Sequence, residues 1–373
     1  MTPEDRAWEV VRRAYEERLA TVPARRRASN GVVLAAVGVV AVVVAAALSP
    51  PGHAVFERVR RAVGVEHASP ALLSLPAPGK LLVLSSEHGG TWIVDADGAR
   101  RRIGSWQYAS WSPHGRYVVV ANDDELAALD PKGNVRWTLA RRNVASPVWE
   151  GTDVDTRIAY LAASGLRVVA GDGTDDRLLD PYAVAEVPAW DPARLHTLAF
   201  QSGGSVVVEQ VDTRHVLWRT TLRVYGTLVW SGDGRRLAVV APGRIVVLSA
   251  RGRILRSFGS SSGELVGAAF QPGTHRLAVV IRHERAAGRR SEVKTFDVDH
   301  PRAGRLLFAG PGVFRDIAWS PNGRWLLVDW PTANQWVFLH GAQVKAVANV
   351  QQQFLRPDHL GPMFELSEGW CCQ

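Results

Sequence analysis

Few residues of this sequence have the types and spacing that catalysis requires. The stretch GSSSG (259–263) matches the G-x-S-x-G pattern of a serine nucleophile elbow. Such an elbow needs a strand before the serine and a helix after it. Here a second strand pattern, ELVGAAF, follows the stretch. We therefore interpret it as a loop between two strands.

Two acidic stretches offer carboxylates to a cation such as Ca²⁺. They are DADG (95–98) and DGTDD (172–176). Neither continues into a twelve-residue loop that ends in a bidentate Glu, as a calcium-binding loop does. Both lie between strand patterns, where Asp-Gly is the usual chemistry of a tight turn. We interpret both as hairpin turns.

Histidine and cysteine are not spaced as metal ligands. The 11 His include no HExxH pair, which would place two ligands on one face of a helix. His114 lies in a predicted turn and His283 in a polar insertion, and we expect both to be solvated. The two cysteines, Cys371 and Cys372, are adjacent; they either form a vicinal disulfide or stay free. The sequence predicts no catalytic residue, metal site or cofactor.

An uninterrupted apolar run, GVVLAAVGVVAVVVAAAL, occupies residues 31–48. As a helix it would span about 27 Å, close to the hydrocarbon thickness of a bilayer. The arginines at 25–27 precede it, so the positive-inside rule places residues 1–30 in the cytoplasm and the bulk of the chain outside. We expect a single-pass signal-anchor over 31–49 in the cell membrane. Later arginines at 58, 60 and 61 weaken this orientation, and cleavage or a buried core helix are the alternatives.

Two short helices flank this run in the prediction. Residues 3–20 form an amphipathic pattern, whose apolar face is Trp8, Val11, Tyr15 and Leu19. An isolated helix of this length is marginal, so this face needs a surface, either the membrane or a cytoplasmic partner. Residues 50–77 are interpreted as a juxtamembrane helix and linker.

From residue 78 onward, short strand patterns alternate with Gly, Asp and Pro turns. An apolar strand that ends in an aromatic residue, a tight turn and a second apolar strand recur six times, at spacings of 38, 41, 40, 40 and 49 residues. The aromatic residues are Trp111, Trp149, Trp190, Trp230, Phe270 and Trp319. Four strands in about 40 residues are typical of a β-propeller blade. We predict an all-β propeller domain over 78–373.

The number of blades depends on how the ring closes. Residues 80–104 supply three strand patterns that lack a leading one, and residues 364–370 (FELSEGW) are a candidate for the missing strand. A strand from the other end of the ring would leave no edge exposed. We therefore favour seven blades, with six as the alternative.

The turn motif carries a resemblance to a known family. Trp-Ser-Pro-x-Gly-Arg at 111–116 and 319–324, with the variant WSGDGR at 230–235, resembles the repeats of TolB-like propellers such as the periplasmic propeller of the Tol-Pal system. Trp149 and Phe270 are followed by other residues. The whole layout is similar to that of membrane-anchored WD-like repeat proteins of GC-rich actinobacteria. The resemblance implies binding of other proteins and supplies no catalytic residues.

We therefore expect an extracytoplasmic module that binds a protein or a cell-envelope ligand and that signals through its cytoplasmic helix to a regulator. The net charge is +8, and almost all of the basic residues are Arg, a preference typical of proteins from GC-rich genomes. We therefore attribute the Arg content to the genome and expect no nucleic-acid binding. A polar insertion between two strand patterns is the candidate contact, with Arg282, Arg285, Arg289 and Arg290. The alternative is a surface-anchored propeller enzyme, a hydrolase or lyase, with titratable side chains that converge at the centre of the ring.

Overall fold

The computed structural model describes residues 74–85, 90–152, 154–184, 186–259, 263–285, 288–300, 304–354, 364–365 and 369–372. Within these ranges no helix has the length and apolar character needed to cross a bilayer. The apolar run 31–48, the helix predicted over 3–20 and the segment 50–73 lie outside the described residues.

The described chain forms seven antiparallel sheets, which are the seven blades of a propeller. Blade 1 contains β1 (Lys80–Ser85), β2 (Gly90–Val94) and β3 (Arg100–Gly104), and blade 2 contains β4 (Tyr108–Trp111), β5 (Val118–Asn122), β6 (Glu125–Leu129) and β7 (Val135–Ala140). Blade 3 contains β8 (Ala145–Gly151), β9 (Thr156–Ala162), β10 (Gly165–Ala170) and β11 (Arg177–Asp180). Blade 4 contains β12 (Ala189–Trp190), β13 (Thr197–Ser202), β14 (Ser205–Gln210) and β15 (His215–Thr221).

The second half of the ring repeats this arrangement. Blade 5 contains β16 (Thr227–Trp230), β17 (Arg236–Ala241), β18 (Arg244–Ser249) and β19 (Ile254–Gly259). Blade 6 contains β20 (Glu264–Phe270), β21 (Arg276–Arg285), β22 (Gly288–Asp297) and β23 (Arg305–Pro311), and blade 7 contains β24 (Ile317–Trp319), β25 (Leu326–Trp330), β26 (Gln335–His340) and β27 (Gln343–Ala348). A short helix, α1 (Val350–Phe354), follows, and β28 (Phe364–Glu365) and β29 (Trp370–Cys371) return to blade 1.

Burial within each blade follows the order of its strands. The middle strands, such as β5 and β6, are almost wholly buried because neighbouring blades cover both of their faces. The fourth strand lies at the rim, and in β7 and β15 exposed residues predominate. First strands of adjacent blades contact each other, so these strands surround the axis of the ring.

One aromatic residue per blade holds the same register. Trp111, Trp230 and Trp319 each lie opposite the apolar residue near the start of the second strand, namely Val118, Leu237 and Leu326. Trp149, Trp190 and Phe270 occupy the equivalent position. The indole N–H groups of Trp190, Trp230 and Trp319 donate to a backbone carbonyl of the preceding blade at 3.0–3.2 Å. The aromatic residues therefore join adjacent blades, which explains their spacing.

The ring closes as the sequence predicted. Strands β28 and β29 both pair with β1, so the C-terminal segment supplies the innermost strand of blade 1. Trp370 lies opposite Leu81 and is therefore the seventh aromatic residue of the series. Its ring contacts Phe338 of blade 7 at 5.6 Å, and its N–H donates to the carbonyl of Pro78 at 3.1 Å. The prediction of seven blades is confirmed.

The topology gives the ring two distinct faces. Because successive strands are antiparallel, the first-to-second and third-to-fourth turns lie on one face, which we call the turn face. The second-to-third turns and the linkers between blades lie on the other, the linker face. Residues 74–79 lead into the second strand of blade 1 and therefore reach the ring on the turn face, where Leu75 N–H donates to the Ala96 carbonyl at 2.9 Å.

Candidate interaction faces of the propeller

The polar insertion predicted between two strands is a long hairpin in the structure. Strands β21 and β22 have ten residues each and stay paired as far as Arg285 and Gly288. Because the hairpin joins the second and third strands, its last described pair, Arg285 and Gly288, lies on the linker face. The hairpin brings Arg282, Arg289 and Arg290 to that face of blade 6, with Arg285 at the end of β21.

Some of these charges are neutralised within the hairpin and its blade. Arg289 pairs with Glu284 at 2.7 Å, and Arg282 approaches Glu264 at 3.4 Å. The expectation that His283 is solvated is wrong: the side chain is buried, with Glu292 at 3.4 Å across the hairpin. The continued strand pairing causes this burial, since alternate side chains of a strand turn toward the neighbouring blade. His114 is exposed in its turn, as expected.

The linker face also presents exposed aromatic side chains. Tyr182 and Tyr225 lie in the linkers that lead into blades 4 and 5, with 80% and 48% of their surface exposed. Tyr108 is the first residue of β4 and is also exposed. Arg223 lies two residues before Tyr225 and is exposed as well. Tyr and Arg are enriched in protein interfaces, so this face has the composition of a binding surface.

On the turn face, titratable side chains cluster where blades 3 and 4 meet. His196, in the first turn of blade 4, is held by Asp212 through its Nδ1 atom. Its Nε2 atom lies 3.4 Å from the Asp155 carbonyl of blade 3, and Arg157 joins Asp155 to Asp212. The backbone N–H of His196 donates to the Glu150 carboxylate at 2.8 Å. Burial raises the pKa of Glu150 to about 7, against the opposing effects of this N–H and of Arg157.

A second cluster with the same construction joins blades 5 and 6. His275 contacts Asp299 of its own blade and Asp233 of blade 5, the latter at 2.9 Å, and Arg236 of blade 5 pairs with Asp299 at 2.7 Å. Burial lowers the pKa of His275, but the two carboxylates outweigh it and raise this pKa above its ordinary value. Burial raises the pKa of Asp233, but Ser231, the Arg235 N–H and His275 lower it to about 2.

The repetition indicates what these clusters do. In both, a His from the first turn of one blade is held between an Asp of its own third turn and an Asp of the preceding blade, and an Arg of the preceding blade completes the set. They are ionic clamps between neighbouring blades. In the part of the chain that the structure describes, these groups lie at blade boundaries on the turn face, which is the arrangement of a structural contact.

The remaining sequence motifs have structural settings. In GSSSG (259–263), Gly259 ends β19 and Gly263 directly precedes β20, while the three serines at 260–262 lie outside the described residues. Asp97 accepts the Ala99 N–H and Asp172 the Thr174 N–H, which confirms the two hairpin turns. Asp176 accepts hydrogen bonds from Arg141, Arg167 and Tyr160 at the boundary between blades 2 and 3. No group of His, Cys, Asp and Glu among the described residues could hold a metal ion.

Cys371 and Cys372 form a disulfide at the end of the closing strand. They border a cavity of about 500 Å³ on the turn face between blades 1 and 2, together with Lys80, Asp95 and Trp111. Lys80 and Asp95 pair with each other at 3.0 Å. The predicted cytoplasmic contacts Trp8, Val11, Tyr15 and Leu19 lie outside the described residues.

Comparison with known proteins supports the fold. No protein-family model matches the sequence, and no curated protein is significantly similar to it. Among solved structures, the propeller domain of Myceliophteria thermophila Cps50 (Swd1) is similar with a TM-score of 0.52 and 15% identity, over 69% of this chain and 94% of that one. Kluyvelomyces marxianus Hsv2 gives 0.51 and 12%, over 69% and 89%.

An enzyme is among these structural neighbours too. Kuenenia stuttgartiensis hydrazine synthase is similar with a TM-score of 0.50 and 14% identity, over 71% of this chain and 84% of that chain. At such identities the likeness shows the β-propeller fold alone.

Proposed function

We propose that this chain is a non-catalytic binding module, an extracytoplasmic propeller tethered to the cell membrane through residues 31–48. The tether would leave the turn face toward the bilayer, because residues 74–79 reach the ring on that face. The linker face would then point away from the membrane and bind a protein or a cell-envelope ligand. Residues 1–30 would lie in the cytoplasm, where the Trp8–Leu19 face would engage a regulator.

One observation carries this proposal. Three exposed tyrosines, Tyr108, Tyr182 and Tyr225, share the linker face with the hairpin β21–β22, opposite the side on which residues 74–79 reach the ring. The fourth exposed tyrosine among the described residues, Tyr117, lies in a turn on the other face, where its ring stacks on Trp149. Interfaces are built around such aromatic anchors with a polar rim. The tyrosines would provide the anchors and the hairpin arginines the rim.

The test is crosslinking and affinity capture of the full-length chain in its own membrane. The double variant Tyr182→Ser and Tyr225→Ser should lose the extracytoplasmic partners. The control is Val154→Ser with Leu195→Ser, which removes exposed apolar side chains from the turn face and should leave capture unchanged. Equal capture by all three chains would refute the assignment of the linker face.

The cytoplasmic half of the proposal needs a separate comparison. A chain that lacks residues 1–24 keeps the arginines at 25–27 and hence the topology signal. A cytoplasmic partner captured by the full chain and lost in this truncation would support signalling. If neither chain captures one, residues 1–24 serve the membrane and the protein is a surface binding platform.

A further inference from the structure

One turn of the ring differs in charge from its counterparts. The turn between the third and fourth strands contains Asp in blades 1 to 4 and in blade 6. In blade 5 the same turn is Ser249-Ala-Arg251-Gly-Arg253. All blades must satisfy the same packing requirements, so packing alone does not explain this reversal of charge.

The turn keeps its structure without the carboxylate. In blade 2, Asp130 accepts the N–H groups of Lys132 and Asn134 and also pairs with Arg136 at 3.0 Å. In blade 5, the Ser249 hydroxyl accepts the N–H groups of Arg251 and Arg253 at 3.3 and 3.1 Å. The serine thus reproduces the backbone contacts and leaves the guanidinium groups without the neighbouring negative charge.

Neighbouring side chains hold this turn in place. The Trp218 indole of blade 4 donates to the Ala250 carbonyl at 3.0 Å, and Arg194 donates to the same oxygen at 3.2 Å. Thr220 donates to the Gly252 carbonyl at 2.6 Å. A fixed turn presents its two arginines with little loss of backbone freedom on binding, which favours affinity.

The arginines border a cavity of about 320 Å³ on the turn face, with Arg235, Arg236 and Leu255 also in its wall. Arg236 is neutralised by Asp299 at 2.7 Å, and Arg235 lies 3.7 Å from Asp233. Among the described residues, no carboxylate pairs with Arg251 or Arg253. Guanidinium groups bind phosphate oxygens through paired, charge-assisted hydrogen bonds.

Exposed aliphatic side chains adjoin this basic cavity. Ile254, directly after Arg253, is 51% exposed, and Leu255 is exposed beside it. Val216 and Leu217 are exposed on the adjacent outer strand of blade 4. Arginines beside aliphatic side chains suit a surface with phosphate groups above hydrocarbon, which is the interface of a bilayer.

We propose that Arg251, Arg253 and Arg235 form a site on the turn face of blade 5 that binds the phosphate of an anionic phospholipid headgroup. The choice of lipid rests on the proposed membrane tether, which brings the chain to the ring on this same face. The site would hold the ring against the bilayer and so keep the linker face directed outward.

The chemistry is tested with the full chain in uncharged detergent by calorimetric titration. The probes are short-chain phosphatidylglycerol, short-chain phosphatidylcholine and inorganic phosphate. Arg251→Gln with Arg253→Gln should weaken phosphatidylglycerol binding about tenfold or more, as loss of charge-assisted hydrogen bonds does. The control, Arg305→Gln with Arg324→Gln, removes the same charge elsewhere on the turn face and should change binding less than about twofold.

Three results would overturn the proposal: no binding of phosphatidylglycerol, equal weakening by both double variants, or binding of phosphatidylcholine as tight as that of phosphatidylglycerol. Inorganic phosphate that binds as tightly as the lipid would show a free-phosphate site and would refute the headgroup assignment. Salt should weaken the expected binding, because the contact is ionic.

A second measurement separates the site from the tether. The full chain is incorporated into nanodiscs of phosphatidylcholine, with or without phosphatidylglycerol, and amide hydrogen exchange is followed at residues 249–257. Slower exchange in the anionic discs, lost in the Arg251/Arg253 variant and kept in the control, supports the proposal. Incorporation without this protection would leave the tether standing and overturn the lipid site; a chain that does not enter the discs would refute the tether instead.

Discussion

Glu150 occupies a position where three of the seven blades use a small hydroxyl group. The residue after the blade aromatic is Ser112, Ser231 or Ser320 in three blades, and each hydroxyl accepts an N–H from its own turn at 2.8–3.0 Å. Glu150 instead accepts the His196 N–H of the next blade. Burial disfavours the charged form of the Glu150 carboxyl group, which predominates at alkaline pH. Glu150→Gln should therefore stabilise the propeller at alkaline pH.

The pKa shift gives the size and the sign of this effect. Burial raises the pKa of Glu150 from 4.5 to about 7. At about 1.4 kcal/mol per pH unit, this corresponds to about 3 kcal/mol. A raised pKa contributes stability that is fully present below pH 4.5 and is lost as the pH rises through about 7. Glutamine keeps an acceptor for the His196 N–H and has no charge to desolvate.

The assay is urea unfolding of the full chain and of Glu150→Gln, followed by circular dichroism at several pH values. The variant should be more stable by about 2–3 kcal/mol at pH 8, and this difference should shrink to about 1 kcal/mol near pH 5. Glu284→Gln, at an exposed site on the hairpin, should show no such trend. A pH-independent difference, or a variant that is less stable at pH 8, would refute the burial argument.

Two further predictions concern the ring. Trp370→Ala should lower the free energy of unfolding by about 3–5 kcal/mol, because it empties a buried site in the closing strand. Trp370→Phe should lose mainly the hydrogen bond to the Pro78 carbonyl, about 1 kcal/mol. Thermal denaturation compares the two variants, and equal losses of stability would contradict the packing role of Trp370. His275→Asn should remove stability below pH 6.5, where the raised pKa of His275 contributes fully, and this contribution should fade as the pH rises through that pKa. The difference in urea midpoint between this variant and the parent chain, measured from pH 5 to pH 8, checks it, and a constant difference would contradict it.

The periodicity of the sequence predicts most of the fold because each blade contains its own pattern. The spacing alone marks the six internal aromatic residues, and the need to remove an exposed edge places the closing segment. The turn motif does not mark Trp370 as the seventh aromatic, since Cys371 and Cys372 stand where blades 2 and 7 have Ser-Pro. Its blade is also divided between the two ends of the ring, so no local spacing marks it.

The hairpin of blade 6 shows where residue type misleads. Its charged residues predict a solvated loop, yet strand pairing continues through them and buries His283. Pairing depends on the partner strand and on the adjacent blade, neither of which is visible in the local composition. Ten-residue strands with alternating burial are the structural outcome.

The ionic clamps between blades could not be predicted from the sequence for a related reason. His275 meets Asp233 across 42 residues and Asp299 across 24. The contact exists because blade packing brings three turns together. A signal was present in retrospect, since His196 and His275 both directly precede a second strand, with Asp in the turns around them.

Repetition supplies an internal control for function. Seven blades must satisfy the same hydrogen bonds and the same packing, so a departure in one blade either has a structural compensation or serves another purpose. Glu150 is compensated, because it replaces a turn contact by one to the next blade. Arg251 and Arg253 have no such structural compensation. They contribute to the turn through their backbone N–H groups, which bond to Ser249, just as those of Lys132 and Asn134 bond to Asp130 in blade 2. By this reasoning, a Ser249→Asp variant should preserve the fold of blade 5 while it weakens the binding of phosphate groups, which separates the two roles of a single turn.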